Sequence, residues 1–370
     1  GSGLLPAEGD HWRWQRRLAS PLFRPADALS YVPAMVDAAT EQIERWRAET
    51  APHVANIEKD MTDTTFAVIA RTILAGIDES AAIDIQRTGY AFIQPIMWSV
   101  AAALMLLPES WWFPGKTKME QAARENREVV RRLLDKRRAH GIEGDDLVAR
   151  MLRAQHPETG APMTDSELID NLSTFLLAGH ETTAKALTWT LYLLARSEEW
   201  QERARDEIQR VTGDRPVQAD DIQNLKIVQR ILKESMRLYP PVPAMTRVCL
   251  EDITLGGIAL KQPTLIVIPI YAVHRNRALW DDPDSFDPDR FLPEREAKMQ
   301  RTQFMPFGAG PRVCIGASFA MVEATAVLAT LLKSCRFTWD GTLLPEPVSR
   351  ITLHPKGGMA LGVTLLDESA

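Results

Sequence analysis

Cysteine is nearly absent from this chain: there are three in 370 residues, Cys249, Cys314 and Cys335. Their irregular spacing excludes a disulfide framework, and no CxxC, CxxCH or Cys/His zinc spacing surrounds them. That usage fits a reducing compartment, and the cytoplasm is the expected location. Positive charge is not in excess either. With a formal net charge of -6, the arginine-rich stretch RENREVVRRLLDKRR over 124–138 reads as the solvated face of a helix, and a nucleic-acid partner is not expected. No GxGxxG follows a strand, and Walker, flavin and iron-sulfur motifs are missing, so any electrons used in chemistry must come from a separate donor. His180 has no second histidine at HExxH spacing and reads as solvent-facing or hydrogen-bonded. Repeats, low-complexity tracts and linkers are lacking, which makes one domain over 1–370 the simplest organisation.

A signal peptide is also missing, and no membrane anchor is visible. The chain opens Gly1-Ser2 without a methionine, which reads as a fragment, a processed product or a cleavage scar. One long uncharged run exists, TGYAFIQPIMWSVAAALMLLP over 88–108, and its length alone permits a membrane span. Gln94, Pro95 and Ser99 argue against that, so a buried or lid-forming helix is expected, closed by a turn at WWFPG over 111–115.

What the chain does contain is a composition of 45% hydrophobic and 25% charged residues, which suits a globular protein with a large core. Apolar residues at helical spacing, such as Val32, Met35, Val36, Ala39, Ile43 and Trp46, recur through most of 10–238. After YPPVP at 239–243 the pattern turns to the short β-branched runs TRVCL, ITL and TLIVIPI, with Gly256-Gly257 as a turn signal, and predicts a small sheet. A helix from about Ala317 to Ser334 and a strand-like tail follow. The expected fold class is mainly α with a small β region: a helix-rich part over 8–240 and a β-containing part over 241–370.

One helix stands out. Thr164 and Glu167 form a possible capping box, and the pattern then runs unbroken to about Arg196. Roughly thirty residues give a rod of about 45 to 50 Å. In its middle sits AGHETT, 178–183, where glycine and threonine lower helix propensity and threonine hydroxyls compete for carbonyls, so the helix is expected to open there into a groove for something small.

Cys314 lies in FGAGPRVCIG, 307–316, just ahead of an apolar helical run. A thiolate near neutral pH needs a metal, a cation or a helix N-terminus. The following helix and Arg312 supply two of these. Gly308, Gly310 and Gly316 would let backbone approach a flat ligand, and Phe307 could shield the sulfur. Cys249 and Cys335 read as small buried hydrophobes.

Phe307, Gly310, Arg312, Cys314 and Gly316 together satisfy F-x-x-G-x-R-x-C-x-G, a match expected by chance on the order of once in ten thousand chains of this length. The loop resembles the haem-ligand loop of the cytochrome P450 superfamily. AGHETT, Glu234-x-x-Arg237, FDPDRF with Arg290, and WRWQR at 12–16 agree with that family in order and spacing, so the resemblance spans essentially the whole chain. Family members carry a further segment ahead of the tryptophan helix, near which this sequence begins.

The resemblance implies the P450 fold, with haem b held between the long helix and the cysteine-loop helix. Cys314 would be the axial thiolate, with Phe307, Gly308 and Gly316 around it. Trp12, Arg13, Arg16, Arg247 and Arg312 match positions that serve the haem propionates. Glu181 and Thr182 would pass protons towards dioxygen, while Ala178 and Gly179 leave space above the iron. By spacing alone Glu234 and Arg237 form an ion pair worth under about 1 kcal/mol if exposed; the resemblance places them buried with Arg290, bracing the loop. Substrate contacts would come from Phe92, Ile96, Trp98, Ala178, Val242, Ala244 and Met245. The implied activity is insertion of one oxygen atom of O2 into a hydrophobic organic molecule, with electrons from a ferredoxin or flavodoxin and its reductase. Peroxide-driven or rearranging chemistry, and a non-catalytic haem carrier or sensor, are the alternatives.

Overall fold

The structure is a computed structural model that describes residues 3–49, 53–72, 79–93, 95–105, 107–108, 110–141, 147–156, 158–342 and 344–366. In chain order its helices are α1 (Gly9–Ala19), α2 (Pro25–Ser30), α3 (Val32–Arg47), α4 (Ile57–Thr72), α5 (Glu79–Ile93), α6 (Ile96–Leu104), α7 (Lys116–His140) and α8 (Leu147–Arg153), then α9 (Asp165–Ala195), α10 (Glu198–Thr212), α11 (Ala219–Ile222), α12 (Lys226–Leu238), α13 (Ile270–Val273), α14 (Pro293–Glu296) and α15 (Ala317–Ser334). The strands are β1 (His53–Asn56), β2 (Met245–Val248), β3 (Ile253–Leu255), β4 (Ile258–Leu260), β5 (Leu265–Ile268), β6 (Cys335–Thr338), β7 (Pro347–Ser349), β8 (Leu353–Pro355) and β9 (Ala360–Leu365).

The long helix forms as its capping residues demand. Glu167 N–H donates to the Thr164 hydroxyl at 3.3 Å, and the Glu167 carboxylate accepts from Thr164 N–H at 2.7 Å, closing the box at the start of α9. Most of its second half is buried on every side, including Leu187, Trp189, Leu191 and Leu194, so α9 threads the core instead of lying on it. α4 packs along α9, α3 along α15, and α15 also against α9. The charged helix α7 lies on α5 and α9, and Arg127 and Arg138 reach carboxylates at the start of α9, Asp170 and Asp165, so part of its expected solvated face is engaged.

Among the described residues the β region is four separate antiparallel sheets, not one small sheet. β2 pairs with β5, β3 with β4 across Gly256-Gly257, and β7 with β8. The remaining, three-stranded sheet, β1-β9-β6, places Ala55 opposite Leu361 and Phe337 opposite Val363. It ties a strand inside the helix-rich part to the C-terminal tail. The uncharged run 88–108 is interrupted, α5 ending at Ile93 and α6 starting at Ile96; Gln94 lies outside the described residues. Among the described residues the apolar helix long enough to cross a membrane is instead α15, and 67% of it is buried inside the fold, as a core helix requires.

Candidate active site

The cysteine loop is set by backbone hydrogen bonds. Cys314 N–H donates to the Phe307 carbonyl at 2.9 Å, Gly308 N–H to Met305 at 3.0 Å, and Val313 N–H to Gly310 at 3.1 Å. Gly308 and Gly310 both adopt φ of +76°, which a Cβ resists. At Gly308 a Cβ would also stand 2.9 Å from Met245 Sδ, so β2 closes on this loop. Gly316 caps α15 and hydrogen-bonds the Cys314 sulfur through its N–H. Phe23 packs beside Gly316 and, 5.6 Å between ring centroids, against Phe175 of α9, linking the loop to the long helix.

The Cys314 side chain is exposed at its surface while crowded by protein behind it. That crowding pushes the thiol pKa up, against the Gly316 N–H and the Arg16 charge, which pull it down. The protein groups by themselves therefore leave it a thiol, and a bound cation is what would ionise it. The cation near the sulfur is Arg16, where the sequence pointed to Arg312. Arg312 instead donates to the Ala7 carbonyl at 2.7 Å and lies 4.5 Å over the Trp12 ring, on which Arg16 also sits at 5.8 Å. Trp12, Arg16 and Arg312 thus converge on the loop. Arg13 turns outward to Asp10 and does not join them. Arg247 is exposed and donates to the Thr246 carbonyl at 2.7 Å, on the same strand face as Met245.

The AGHETT segment does not open. Helix α9 is continuous from 165 to 195, and three successive carbonyls each take an extra hydroxyl: Ala178 from Thr182 at 2.8 Å, Gly179 from Thr183 at 3.3 Å and His180 from Thr65 at 2.9 Å. Tertiary packing outweighs local propensity here. Gly179 serves that packing and not the space above a cofactor, since a Cβ there would meet Ile69 Cδ1 of α4 at 2.9 Å. Ala178 is exposed in the middle of this otherwise well-covered helix. His180 is buried, its Nδ1 2.7 Å from the Leu176 carbonyl, and burial holds its pKa below the ordinary value, so of its two expected readings the hydrogen-bonded one is found.

Glu181 and Thr182 are neighbours in sequence, but their side chains bond to different groups. Thr352 Oγ1 donates to Glu181 at 2.8 Å, and His354 Nε2 stands 3.2 Å from the same oxygen. β8 is brought there by Trp189, whose Nε1–H donates to the Leu353 carbonyl at 2.9 Å. Burial raises the Glu181 pKa, yet His354, Thr352 and the Lys185 charge outweigh it and hold the carboxyl below its usual range.

Behind the loop, Glu234 and Arg237 are fully buried and paired, 2.7 Å from Nε. Arg237 also donates to the carbonyls of His274, Pro283 and Ser285, and Arg290 Nε reaches Glu234 at 3.3 Å. The expected three-residue brace is assembled. Its connection to the cysteine loop runs through His274, which sequence reasoning missed. Burial lowers the pKa of this imidazole to about 4.

Of the other expected contacts, Phe92 is half-buried on α5, one turn from Gly89, whose close approach to Leu177 sets α5 against α9. Ile96 and Val242 are half-buried and Ala244 is exposed. Trp98 is 47% exposed, and no described contact brings it to the cysteine loop.

The family model of cytochrome P450 matches residues 1–361. The chain belongs to the cytochrome P450 family. Cyclooctat-9-en-7-ol 5-monooxygenase of Streptomyces melanosporofaciens is 33% identical over 91% of this chain and 72% of that protein. Cytokinin hydroxylase of Arabidopsis thaliana is 32% identical over 99% of this chain and 72% of its own, and 11-oxo-beta-amyrin 30-oxidase of Glycyrrhiza uralensis 33% over 96% and 71%. The crystal structure of the cytochrome P450DA heme domain superposes with a TM-score of 0.89 and 26% identity, covering 100% of this chain and 81% of that one.

As a P450, the protein is a haem-dependent monooxygenase that uses O2, an organic substrate and electrons from a redox partner. The residues present fit the cofactor. One accessible thiol receives an N–H bond, two glycines keep Cβ atoms out of the loop, and two arginines with a tryptophan gather beside it. Among the described residues no group of three or more His, Cys, Asp or Glu could hold a metal ion, so a single thiolate suits an iron whose remaining donors come from a macrocycle.

Sequence reasoning also missed Glu323 and His354. Glu323 sits on α15 nine residues after the cysteine, fully buried, and burial pushes its pKa up to about 8 against weak help from the Thr183 hydroxyl. A run of alanine, valine and leucine around it was the only sequence signal that it would be buried.

Proposed function

We propose that Cys314 Sγ is the thiolate that would hold the haem iron and that the protein hydroxylates a hydrophobic organic substrate. The observation that carries this is the accessible Cys314 thiol, whose sulfur accepts from the Gly316 N–H and faces the Arg16 charge while the residue's own backbone N–H donates to the Phe307 carbonyl. Bound there, haem supplies dioxygen activation, which a thiolate promotes by pushing electron density towards iron. Arg16 and Arg312, stacked with Trp12, would hold the propionates, with Arg247 reaching them from β2. The Glu181 carboxylate, held ionised by His354, Thr352 and Lys185, would take up a proton and release it beside Thr182. Phe92, Ile96, Ala178, Val242, Ala244 and Met245 exclude water and offer an apolar wall. Relatives named for cyclooctat-9-en-7-ol and 11-oxo-beta-amyrin support an apolar substrate. A ferredoxin or flavodoxin with its reductase is the proposed donor, and the cytoplasm the proposed location.

The test is a screen of apolar compounds read by the spin state of the ferric haem, followed by product analysis with ferredoxin and its reductase. Binding of apolar rather than charged compounds, followed by a hydroxylated product, is expected. Replacing Thr182 with alanine should divert reductant into peroxide, and unchanged peroxide release would rule out its role.

A further inference from the structure

Glu181, on α9, is one end of a polar chain that ends near the surface at Glu58. Thr352 Oγ1 donates to Glu181 Oε1 at 2.8 Å and lies 2.8 Å from His354 Nε2. The other ring nitrogen, Nδ1, lies 2.8 Å from Glu58 Oε1, which also accepts from Lys185 Nζ at 2.8 Å. Each link is within hydrogen-bond distance. Three elements contribute: Glu58 from α4, Glu181 and Lys185 from α9, and Thr352 and His354 from β8 and the turn before it. Lys185 is buried, whereas the Glu58 side chain keeps 18% of its surface open to solvent. The chain therefore connects water to the acid beside the active threonine.

We propose that His354 feeds protons from Glu58 to Glu181, with Thr352 as the bridging hydroxyl, and so replenishes the acid that serves oxygen activation. This rests on the role given above to Glu181 and Thr182. A proton leaves His354 Nε2 for Thr352 Oγ1 as the hydroxyl proton passes to Glu181 Oε1. The ring left behind is neutral, with its remaining proton on Nδ1 and Nε2 bare; a flip of the ring turns the bare nitrogen to Glu58, where a proton delivered by water recharges it. Only N–H and O–H bonds form and break, and no electrons move.

The electrostatics suit the task. The charged groups facing the imidazole are Glu58 from α4 and Glu181 and Lys185 from α9; β7, which pairs with β8, faces it with Val348. Burial opposes protonation of the ring, but the hydrogen bonds to Glu181 and Glu58 outweigh it and hold the pKa above 6.5. A charged ring between two carboxylates, with Lys185 as the fourth member, balances the cluster, which is what allows it to be buried. At the pH where the ring becomes neutral, the supply of protons to Glu181 fails.

The experiment uses the haem-loaded full chain, with ferredoxin and its reductase supplying electrons, and measures peroxide released per reductant consumed from pH 6 to 9. In parallel, nitrogen-15 histidine spectra of the reduced carbon monoxide complex follow the His354 ring. In the native protein the peroxide fraction should rise with pH, at a midpoint that matches the His354 titration. Glu58→Gln should move both midpoints to lower pH together. His354→Gln should release about tenfold more peroxide at low pH and lose the pH dependence. A peroxide fraction that ignores the ring titration, or that stays put in Glu58→Gln while the ring shifts, would overturn the relay. If Thr182→Ala leaves peroxide release unchanged, it is the acid-alcohol reading that fails; if only the histidine and Glu58 variants behave as native, the relay fails while that reading stands.

Discussion

His274 Nε2 accepts a hydrogen bond from the Met305 backbone N–H at 2.9 Å. Its own carbonyl accepts from Arg237 at the same distance of 2.9 Å. One histidine therefore joins the buried Glu234–Arg237–Arg290 brace to the strand of chain that becomes the cysteine loop two residues later. The imidazole must stay neutral to accept that N–H, and burial, with the Arg237 charge adding to it, keeps its pKa at about 4.

A pH dependence of stability follows. The unfolded ring takes up its proton near pH 6.5 and the folded one only near 4, so stability present above pH 6.5 is lost as pH falls between those values, by up to about 3 kcal/mol. Urea unfolding at pH 7 and pH 4.5 should show this loss in the native protein and a smaller one in His274→Gln. Equal losses in both would remove His274 as the source.

Glu323 should act in the opposite direction. Its folded pKa of about 8 lies above the unfolded 4.5, so the folded state loses stability as pH rises through that range. Glu323→Gln, which carries no charge, should be more stable than the native protein at pH 7 by up to about 3 kcal/mol, and the gap should shrink towards pH 4.5. Calorimetry at several pH values checks both the sign and the trend.

Arg237→Lys is expected to behave as a severe change. The guanidinium makes two contacts to Glu234 and three to backbone carbonyls, and an ammonium cannot span them. A broken buried pair costs about 3 to 5 kcal/mol, and haem content after purification should fall with it. Retention of full haem occupancy would separate the brace from the cysteine loop.

Gly308 and Gly310 share φ of +76° but differ in surroundings, since nothing stands within 4 Å of a Cβ at Gly310. Gly310→Ala should cost about 1 to 2 kcal/mol from backbone strain alone. Gly308→Ala should cost more, because Met245 Sδ must move, and the difference should vanish in a Met245→Ala background.

Legibility in the sequence followed range. The Thr164 capping box and the start of α15 after Gly316 are local signals, and both elements form at the expected residues. The cysteine loop was legible because glycine, arginine and cysteine types recur at fixed offsets within ten residues. β1 was not, because its four residues gain strand geometry only by pairing with β9, some three hundred positions away. Gly179 misled for the same reason: whether a glycine opens a helix or admits a neighbour depends on Ile69 of another helix. His274, His354 and Glu323 are single polar residues without a motif, and their importance lies in partners that only folding supplies.

Iron K-edge X-ray absorption on the haem-loaded protein is the most direct measurement of the central assignment. A sulfur scatterer in the first shell is expected in the native protein and should disappear in Cys314→Ser. A first shell of nitrogen and oxygen alone in the native protein, or a sulfur that persists in Cys314→Ser, would contradict ligation by Cys314.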